Sequence, residues 1–360
     1  QLTRKDVSEV VIATDAGREG ELVARWILEK ARIKKPTKRL WISSVTDKAI
    51  REGFKNLKPG AKYVHLYESA VARSEADWYV GLNATRALTT KHNAQLSSGR
   101  VQTPTLAMIA AREQEIKEFK PRAFYGIEAK TDKGFKLTWL DEKNNSRIFS
   151  EDKANLLLNQ LKNESATVVQ IDRQHKKKFA PQLYDLTELQ REANRIFNFS
   201  GKQTLSIMQK LYEQHKVLTY PRTDSRVISS DIVPTLKDRV KACGVDEYAK
   251  SAAKILKKDL KLSKAVVDNA KVSDHHAIIP TEQPVLLADL DDKEIKIYDL
   301  VVKRFLAVLS DAYEYEQTTI TAEIGPERFT AKGKVIKKLG WKEVYNNRRS
   351  EDDLQDDQRL

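Results

Sequence analysis

The sequence predicts a multidomain α/β and α+β protein in which a helical block is inserted into a β-rich one. Three observations support this class. The 360 residues exceed one ordinary core, since a domain usually holds ~100–200 residues. The apolar pattern changes along the chain from strand–helix–strand–helix to long helical stretches and then to alternation with a period of two. The single cysteine, Cys243, rules out a disulfide scaffold and argues against a Cys-built zinc site.

Residues 1–60 show the α/β pattern. The apolar run 10–13 predicts a buried strand, and a helix follows it. A second strand is predicted at 40–42. Another helix begins at Thr46 and is stopped at Pro59.

The rest of the chain alternates between helical and β-type patterns. Helical spacing predicts helices at 64–90, 103–119, 186–197, 202–214, 234–242, 247–256 and 292–309. Alternation predicts a hairpin from Tyr125 to Trp139 and further strands at 168–171, 317–324 and 328–336. A basic connector at 175–178 and an acidic ending at 350–357 are expected outside these elements.

The charge balance indicates the kind of partner. Lys and Arg number 64 against 51 Asp and Glu, which gives a formal net charge of +13. This excess favours a polyanion, with nucleic acid ahead of an anionic membrane. No apolar run approaches the ~20 residues of a membrane-spanning helix, and no charged-then-apolar leader opens the sequence. We therefore expect an intracellular chain with no membrane partner.

Two carboxylates after the first strand form the sharpest local feature. Asp15 leaves the carboxyl end of a buried strand, where α/β sheets place their ligands. Glu19 follows four residues later in the first helical turn, so both side chains can face one side. Mg²⁺ suits such a place because it takes one or two carboxylates and keeps its waters. The alternative is a pair of helix N-terminal acids favoured by the helix dipole.

A second feature is Tyr220, which is followed by Arg222 and then by the run 223–225 of hydroxyl, carboxylate and hydroxyl. A tyrosine with a free pKa of ~10 needs a nearby cation or metal to act as a nucleophile. Arg222 can meet that need and can also bind a phosphate through two hydrogen bonds. The alternative is a structural role, since most of the 12 tyrosines must be structural.

Two further segments can each be interpreted as functional or as structural. His275 and His276 stand beside Asp274, where an imidazole can hydrogen-bond a phosphate or a leaving group. A metal site and an ordinary surface pair are the alternatives. The segment 97–105 combines small residues, Arg100 and hydroxyls ahead of a helix, which suits either a phosphate site or a plain helix cap.

Five segments, taken in order, resolve these alternatives by resemblance: 14–21, 73–86, 99–105, 218–225 and 275–281. Together they resemble the type IA DNA topoisomerases, most closely the bacterial topoisomerase III branch of that family. The first is similar to the family's acidic Toprim motif, the fourth to its active-site tyrosine motif and the last to its histidine motif. One such segment is a weak indication, but five in the family's order are specific.

The resemblance implies roles for individual residues. Tyr220 would attack a DNA phosphodiester, with Arg222, Glu19 and His275 as the other catalytic residues. Asp15 and Glu19 would bind Mg²⁺, the implied cofactor. The DNA-contacting residues would be Arg73, Asp77, Asn83, Arg86, Arg100, Gln102, Gln209, Glu213, Thr223 and Asp224. Arg73 and Asp77 lie one helical turn apart, and they either tie the active-site face together or form a plain helix salt bridge.

The resemblance also implies the toroidal architecture of type IA enzymes. The expected parts are a partial Toprim domain (1–60), the first part of a helical gate domain (61–120), the first part of a β-rich hinge domain (121–178), a helical domain with the active-site tyrosine (179–312), the return of the hinge domain (313–346) and an acidic tail (347–360).

The implied function is ATP-independent cleavage of single-stranded DNA through a 5′-phosphotyrosine, followed by strand passage and religation. This activity would relax negative supercoils and decatenate DNA. The expected partners are single-stranded DNA and negatively supercoiled or catenated DNA, with a helicase as a candidate protein partner. We expect a monomer in the cytoplasm, associated with the nucleoid.

Two other classes remain open. One is a catalytically inactive fragment that binds single-stranded DNA. The other is a different Toprim phosphoryl-transfer enzyme, a primase or nuclease, which would share Asp15 and Glu19 but have no use for Tyr220.

Departures from the family pattern concern the acidic site and both ends. The acidic triplet usually reads Asp-x-Asp-x-Glu, but Gly17 stands at its middle position. The Glu-Lys-Pro-Ser segment with which the family begins its Toprim domain is absent before Val10, and the sequence stops soon after 341–345, where the family would complete its gate domain. We therefore expect a fragment from the middle of such an enzyme.

Overall fold

The computed structural model describes residues 1–42, 46–272 and 274–345. Within these ranges it has eight β-strands: β1 (Val10–Ile12), β2 (Thr37–Arg39), β3 (Lys58–Pro59), β4 (Glu128–Lys130), β5 (Lys136–Leu140), β6 (Ala166–Lys178), β7 (Tyr313–Ile324) and β8 (Glu327–Lys338). Its ten α-helices are α1 (Arg18–Lys30), α2 (Asp47–Lys55), α3 (Val64–His92), α4 (Gln102–Glu118), α5 (Glu151–Leu161), α6 (Leu186–Phe197), α7 (Gly201–Glu213), α8 (Leu236–Cys243), α9 (Ala249–Leu256) and α10 (Asp292–Val308).

The chain forms two compact units, each assembled from separate stretches. The first unit comprises Gln1–Phe119, Tyr184–Arg239 and Leu262–Thr281. The second comprises Lys120–Leu183, Val240–Lys261 and Glu282–Leu360. The predicted acidic tail lies outside the described residues.

A small three-stranded sheet opens the first unit. Strand β1 pairs in parallel with β2, and β2 pairs antiparallel with β3. The prediction of a strand at 40–42 was wrong, because β2 lies three residues earlier and places Arg39 opposite Ile12. Arg39 is fully buried and forms an ion pair with Glu21. A pattern of apolar residues does not reveal this strand, because its buried residue is charged.

Two long helices follow, close to the predicted bounds. Helix α3 ends where Asn93 adopts a left-handed conformation with φ 46°, which asparagine tolerates better than most residues. Helix α4 has no buried residue. Apolar side chains on its surface, such as Leu106 and Met108, are therefore exposed, in contrast with the apolar faces of α6 and α7.

Helices α6 and α7 carry the loop with Tyr220. Their apolar faces supply fully buried side chains, among them Leu189, Met208 and Leu211. Leu218, two residues before Tyr220, is also fully buried and forms a single antiparallel β-bridge with Pro280. The tyrosine loop is thereby fixed to the core of its own unit.

A five-stranded sheet in the order β4-β5-β8-β7-β6 forms the centre of the second unit. All of its strand pairs are antiparallel. One face packs on a core that includes Leu137, Trp139, Ala322 and Phe329, and Leu157 of α5 belongs to the same core. Strands from two distant parts of the sequence therefore share one sheet.

Two elements of the second unit depart from expectation. Helix α5 was not predicted, because the run Leu156–Leu158 hides its period: of these three leucines only Leu157 is buried. Strand β6 is much longer than predicted, and the expected basic connector 175–178 is its last part, paired with β7. Lysines can occupy this strand because their side chains stay in solvent or pair with Glu314.

No helix in the described part of the chain is both long enough and apolar enough to cross a membrane.

Candidate active site

Tyr220 and His275 are brought together by two extended segments of the first unit. The Thr219 N–H donates to the Ile279 carbonyl at 2.9 Å, and the Thr223 hydroxyl donates to the His275 carbonyl at 3.0 Å. These bonds hold the two segments side by side. The rings of Tyr220 and His275 lie with their centroids 4.3 Å apart. Thr223, for which we predicted a DNA contact, is itself buried.

Asp15 closes the same cluster from the end of β1. Its Oδ2 lies 3.7 Å from Nε2 of His275. Asp15 and Glu19 are both exposed, as ligands for a solvated ion must be. The structure therefore brings together the acid segment, the tyrosine segment and the histidine segment, which are far apart in the sequence.

The phenol of Tyr220 is held in its protonated form. Partial burial raises the pKa of Tyr220, and the negative charge of Asp15 raises it further. Arg222 is exposed and lowers the pKa of Tyr220, but its effect does not outweigh the other two. A tyrosine in this setting has to lose its proton as it reacts, because it is not ionised beforehand.

Arg73 and Asp77 each pair with a distant residue rather than with each other. Arg73 on α3 forms an ion pair with Glu19 on α1. Asp77, one turn later, pairs with Arg100 just before α4, and the hydrogen bond from Arg100 holds the pKa of Asp77 below its usual value. The plain helix salt bridge is therefore not formed, and α3 connects both neighbouring segments.

The remaining predicted contacts lie on the same unit. Gln209 and Glu213 are one turn apart on α7, with 3.5 Å between the Gln209 amide nitrogen and Oε1 of Glu213. The negative charge of Glu213 is also among the influences that raise the pKa of Tyr220. The others are all exposed: Asn83, Arg86, Gln102 and Asp224.

A buried ion pair that the sequence did not predict supports the segment that carries Asp15 and Glu19. The side chains of Glu21 and Arg39 are completely buried, with 2.9 Å between Oε2 and Nε. Arg39 also donates to the carbonyls of Ile12 (3.1 Å), Thr14 (2.8 Å) and Asp15 (2.5 Å). It therefore fixes the backbone that presents the Asp15 carboxylate.

Two more residues at the site were missed. Tyr212 meets the ring of Tyr220 edge-on at 5.4 Å, and its position next to the predicted Glu213 was the available signal. Asp274 places its carboxylate against Gly17. Burial raises the pKa of Asp274, and the nearby charges of Asp224 and Asp15 raise it further. No sequence pattern predicts a contact between residues so far apart.

The site offers hard oxygen donors for a metal. Asp15 and Glu19 supply carboxylates, the chemistry that Mg²⁺ prefers, and two are enough for an ion that keeps several waters. Across residues 1–42, 46–272 and 274–345, no three His, Cys, Asp or Glu side chains already stand in a metal-binding group. The donor set therefore fits a largely hydrated ion.

A tyrosine beside a histidine and a carboxylate, on a fold of this kind, indicates the class of protein to which the chain belongs. Residues 61–359 match a family model described as DNA topoisomerase, and the chain belongs to that family, in its type IA class. Among its relatives, the chain is 65% identical over 357 residues to DNA topoisomerase 3 of Bacillus cereus and 62% identical over 358 residues to DNA topoisomerase 3 of Bacillus subtilis. Each alignment covers 99% of this chain and 49% of the relative.

A solved structure supports the same fold. Full-length topoisomerase I from Thermotoga maritima matches with a TM-score of 0.68 and 25% sequence identity, over 93% of this chain and 55% of that one. The chain thus spans about half the length of the curated relatives it matches.

Proposed function

We propose that the chain carries the DNA-cleaving centre of a type IA topoisomerase III. Tyr220 attacks a phosphodiester of single-stranded DNA and becomes a 5′-phosphotyrosine, and the reverse reaction reseals the strand after another has passed. One observation supports this most directly: the ring of Tyr220 packs against the ring of His275, and Oδ2 of Asp15 lies 3.7 Å from Nε2 of that histidine.

The chemistry is balanced without ATP. The phenol oxygen forms a bond to phosphorus while the bond to the 3′ oxygen breaks. The phenol loses a proton, and the departing 3′ oxygen takes one up. The ester keeps the energy of the broken bond, so resealing needs no further input.

Charged and polar residues around Tyr220 suit an anionic transition state. Arg222 stands two residues away, exposed and able to stabilise the phosphate. His275 would hydrogen-bond near the same phosphate. The DNA strand would be held by residues of α3, of the segment before α4 and of α7, including the exposed Arg86 and Arg100 and the partly buried Gln209.

Asp15 and Glu19 are the residues that would hold Mg²⁺. The ion would supply positive charge beside the scissile phosphate. In the structure Glu19 forms an ion pair with Arg73, and Oδ2 of Asp15 lies 3.7 Å from Nε2 of His275.

The wider activities belong to the proposal for the whole enzyme. We infer relaxation of negative supercoils and decatenation, with single-stranded, supercoiled or catenated DNA as substrate. A helicase partner, a monomeric state and a place in the nucleoid complete this proposal. We also propose that the Toprim, gate, hinge and tyrosine-bearing domains have the boundaries predicted from the sequence.

A second candidate is strand binding without cleavage. It is favoured by one observation: the described residues contain no group of three metal-ligating side chains. In that case the chain would bind single-stranded DNA and form no covalent ester.

One experiment separates the two candidates. A single-stranded oligonucleotide labelled at its 3′ end, the end that stays on the fragment joined to Tyr220, is incubated with the chain and Mg²⁺. The reaction is stopped with detergent and run on a denaturing gel. We expect a protein–DNA band for the natural chain and none for Tyr220→Phe. Tyr315→Phe, the same change in the other unit, is the matched control and keeps the band. Strand binding without a band in the natural chain would support the second candidate.

A further inference from the structure

The ring of Tyr220 contacts two other aromatic rings in different geometries. Its centroid lies 4.3 Å from that of His275, with an angle of 39° between the planes. It lies 5.4 Å from that of Tyr212, with an angle of 78°. Such an edge-to-face arrangement is attractive because the positive edge of one ring meets the negative face of the other. The proposed function uses His275 but leaves Tyr212 without a role.

Tyr212 is presented by a helix that the core holds in place. It belongs to the last turn of α7, and its own side chain is 37% exposed. Leu211, directly before it, and Met208, one turn before it, are both fully buried. Because residues four apart lie on the same side of a helix, Tyr212 stands at the border of this buried face. The ring is therefore carried by a rigid element and not by a loop.

The chain between α7 and Tyr220 folds back on the end of that helix. Lys216 adopts a left-handed conformation with φ 58°, and the Val217 N–H donates to the Leu211 carbonyl at 3.0 Å. The Val217 carbonyl in turn accepts from the Thr281 N–H at 3.0 Å. The link is thus bonded both to α7 and to the segment that follows the histidines. Backbone bonds as well as ring contacts hold the two tyrosines together.

We propose that Tyr212 is a positioning residue for strand cleavage, whose ring limits the rotation of the Tyr220 side chain and thereby aims the phenol oxygen at the phosphate. This inference rests on the proposed function, since it assigns a role toward the tyrosine that would react. Small displacements of a reacting group lower rates steeply, so a wall against the nucleophile's ring contributes to the rate of cleavage and not to DNA binding. The ring of Tyr212 supplies this wall, and its hydroxyl is not needed for it.

The rate of adduct formation at saturating oligonucleotide measures positioning separately from binding. We expect Tyr212→Leu to lower this single-turnover rate about tenfold and to leave the Kd for the strand within about twofold. Tyr212→Phe keeps the ring and should restore the rate to within about twofold of that of the natural chain. Tyr315→Leu, the same change in the other unit, is the matched control. Circular dichroism verifies that each variant is folded.

Fluorine NMR of protein labelled with 3-fluorotyrosine reports on Tyr220 in the absence of DNA. The chain has 12 tyrosines, and the signal of Tyr220 is the one that Tyr220→Phe removes. We expect this signal to narrow in Tyr212→Leu, because a side chain that gains rotational freedom averages its environment. It should stay broad in Tyr212→Phe. Loss of a neighbouring ring without any gain in motion would shift the signal but not narrow it.

The outcomes separate this inference from the proposed function. A natural chain that forms the adduct, with an equal rate in Tyr212→Leu or an unnarrowed Tyr220 signal, would overturn the role of Tyr212 and leave the function standing. Equal losses in Tyr212→Leu and Tyr212→Phe would also overturn it, since the hydroxyl would then matter. Weaker strand binding as the sole effect would make Tyr212 a DNA contact instead. A natural chain that forms no adduct would overturn the proposed function itself.

Discussion

Tyr220 shares its surroundings with two aromatic rings and a carboxylate. Its ring is flanked by His275 at 4.3 Å and by Tyr212 at 5.4 Å. Burial and Asp15 raise the pKa of its phenol. The phenol is therefore not ionised in advance, and under the proposed function its activation would come with the bound phosphate and cation.

His276, next to the proposed catalytic histidine, has a different part. It is partly buried, and this burial lowers its pKa to about 4. Its Nδ1 lies 2.7 Å from the Ala277 carbonyl oxygen. A histidine that stays neutral in this way suits a structural role in the loop.

The low pKa of His276 makes stability depend on pH. The unfolded chain binds a proton at His276 below about 6.5, whereas the folded chain does so only below about 4. Stability contributed by this residue is thus present above pH 6.5 and is lost as the pH falls through that window, by up to about 3 kcal/mol. Urea unfolding at pH 7.0 and pH 4.5 measures this loss.

Comparison with His276→Gln isolates the effect. This variant should lose less stability between the two pH values than the natural chain. His65→Gln, an exposed histidine on α3, is the matched control and should behave as the natural chain does. Equal pH dependence in all three proteins would contradict the assignment.

At the scale of elements, the small sheet and α1 are joined by a buried charge cluster. Glu21 contacts Arg39 at 2.9 Å and accepts a hydrogen bond from Arg25 at 2.8 Å. Burial lowers the pKa of Arg39, and Glu21 opposes that shift. The cluster links β2 to the helix whose first turn carries Glu19.

Breaking this cluster should be costly. Glu21→Gln leaves the buried Arg39 without its counter-charge, and we expect the free energy of unfolding to fall by about 3–5 kcal/mol. Urea denaturation measures the difference. Glu29→Gln, an exposed position on the same helix, should change stability by less than about 0.5 kcal/mol. Similar losses in both variants would show that the ion pair does not stabilise the fold.

For the whole molecule, the excess of positive charge should govern DNA binding. The net charge is +13, and arginines at the site, such as Arg86 and Arg222, are exposed. A chain that neutralises about four phosphates should show a plot of log K against log salt with a slope near −3 for single strands. Fluorescence anisotropy at NaCl concentrations from about 50 to about 200 mM measures that slope.

A specific variant connects this slope to the site. Arg86→Gln should weaken binding at low salt and make the slope less steep by about 0.7, the share of one phosphate. Lys133→Gln, in the turn between β4 and β5 of the other unit, should leave the slope closer to that of the natural chain. A slope near zero would mean that phosphate contacts do not dominate binding.

The sequence by itself determined most helices, the approximate place of most strands and the membership of the family. Helices such as α6, predicted at 186–197 and found at Leu186–Phe197, depend on neighbouring residues, so their periodicity is visible in the sequence. The family motifs could be found for a related reason, because each is a short contiguous segment.

Only the tertiary structure decided which charges meet. The pairing of Arg73 with Glu19 and of Asp77 with Arg100, the burial of Arg39 in β2, and the contact of Asp274 with Gly17 all join residues distant in the sequence. A local pattern carries no signal for such contacts, because their energies depend on burial and distance in space. The long strand β6 follows the same logic, since its lysines are held there by the partner strand.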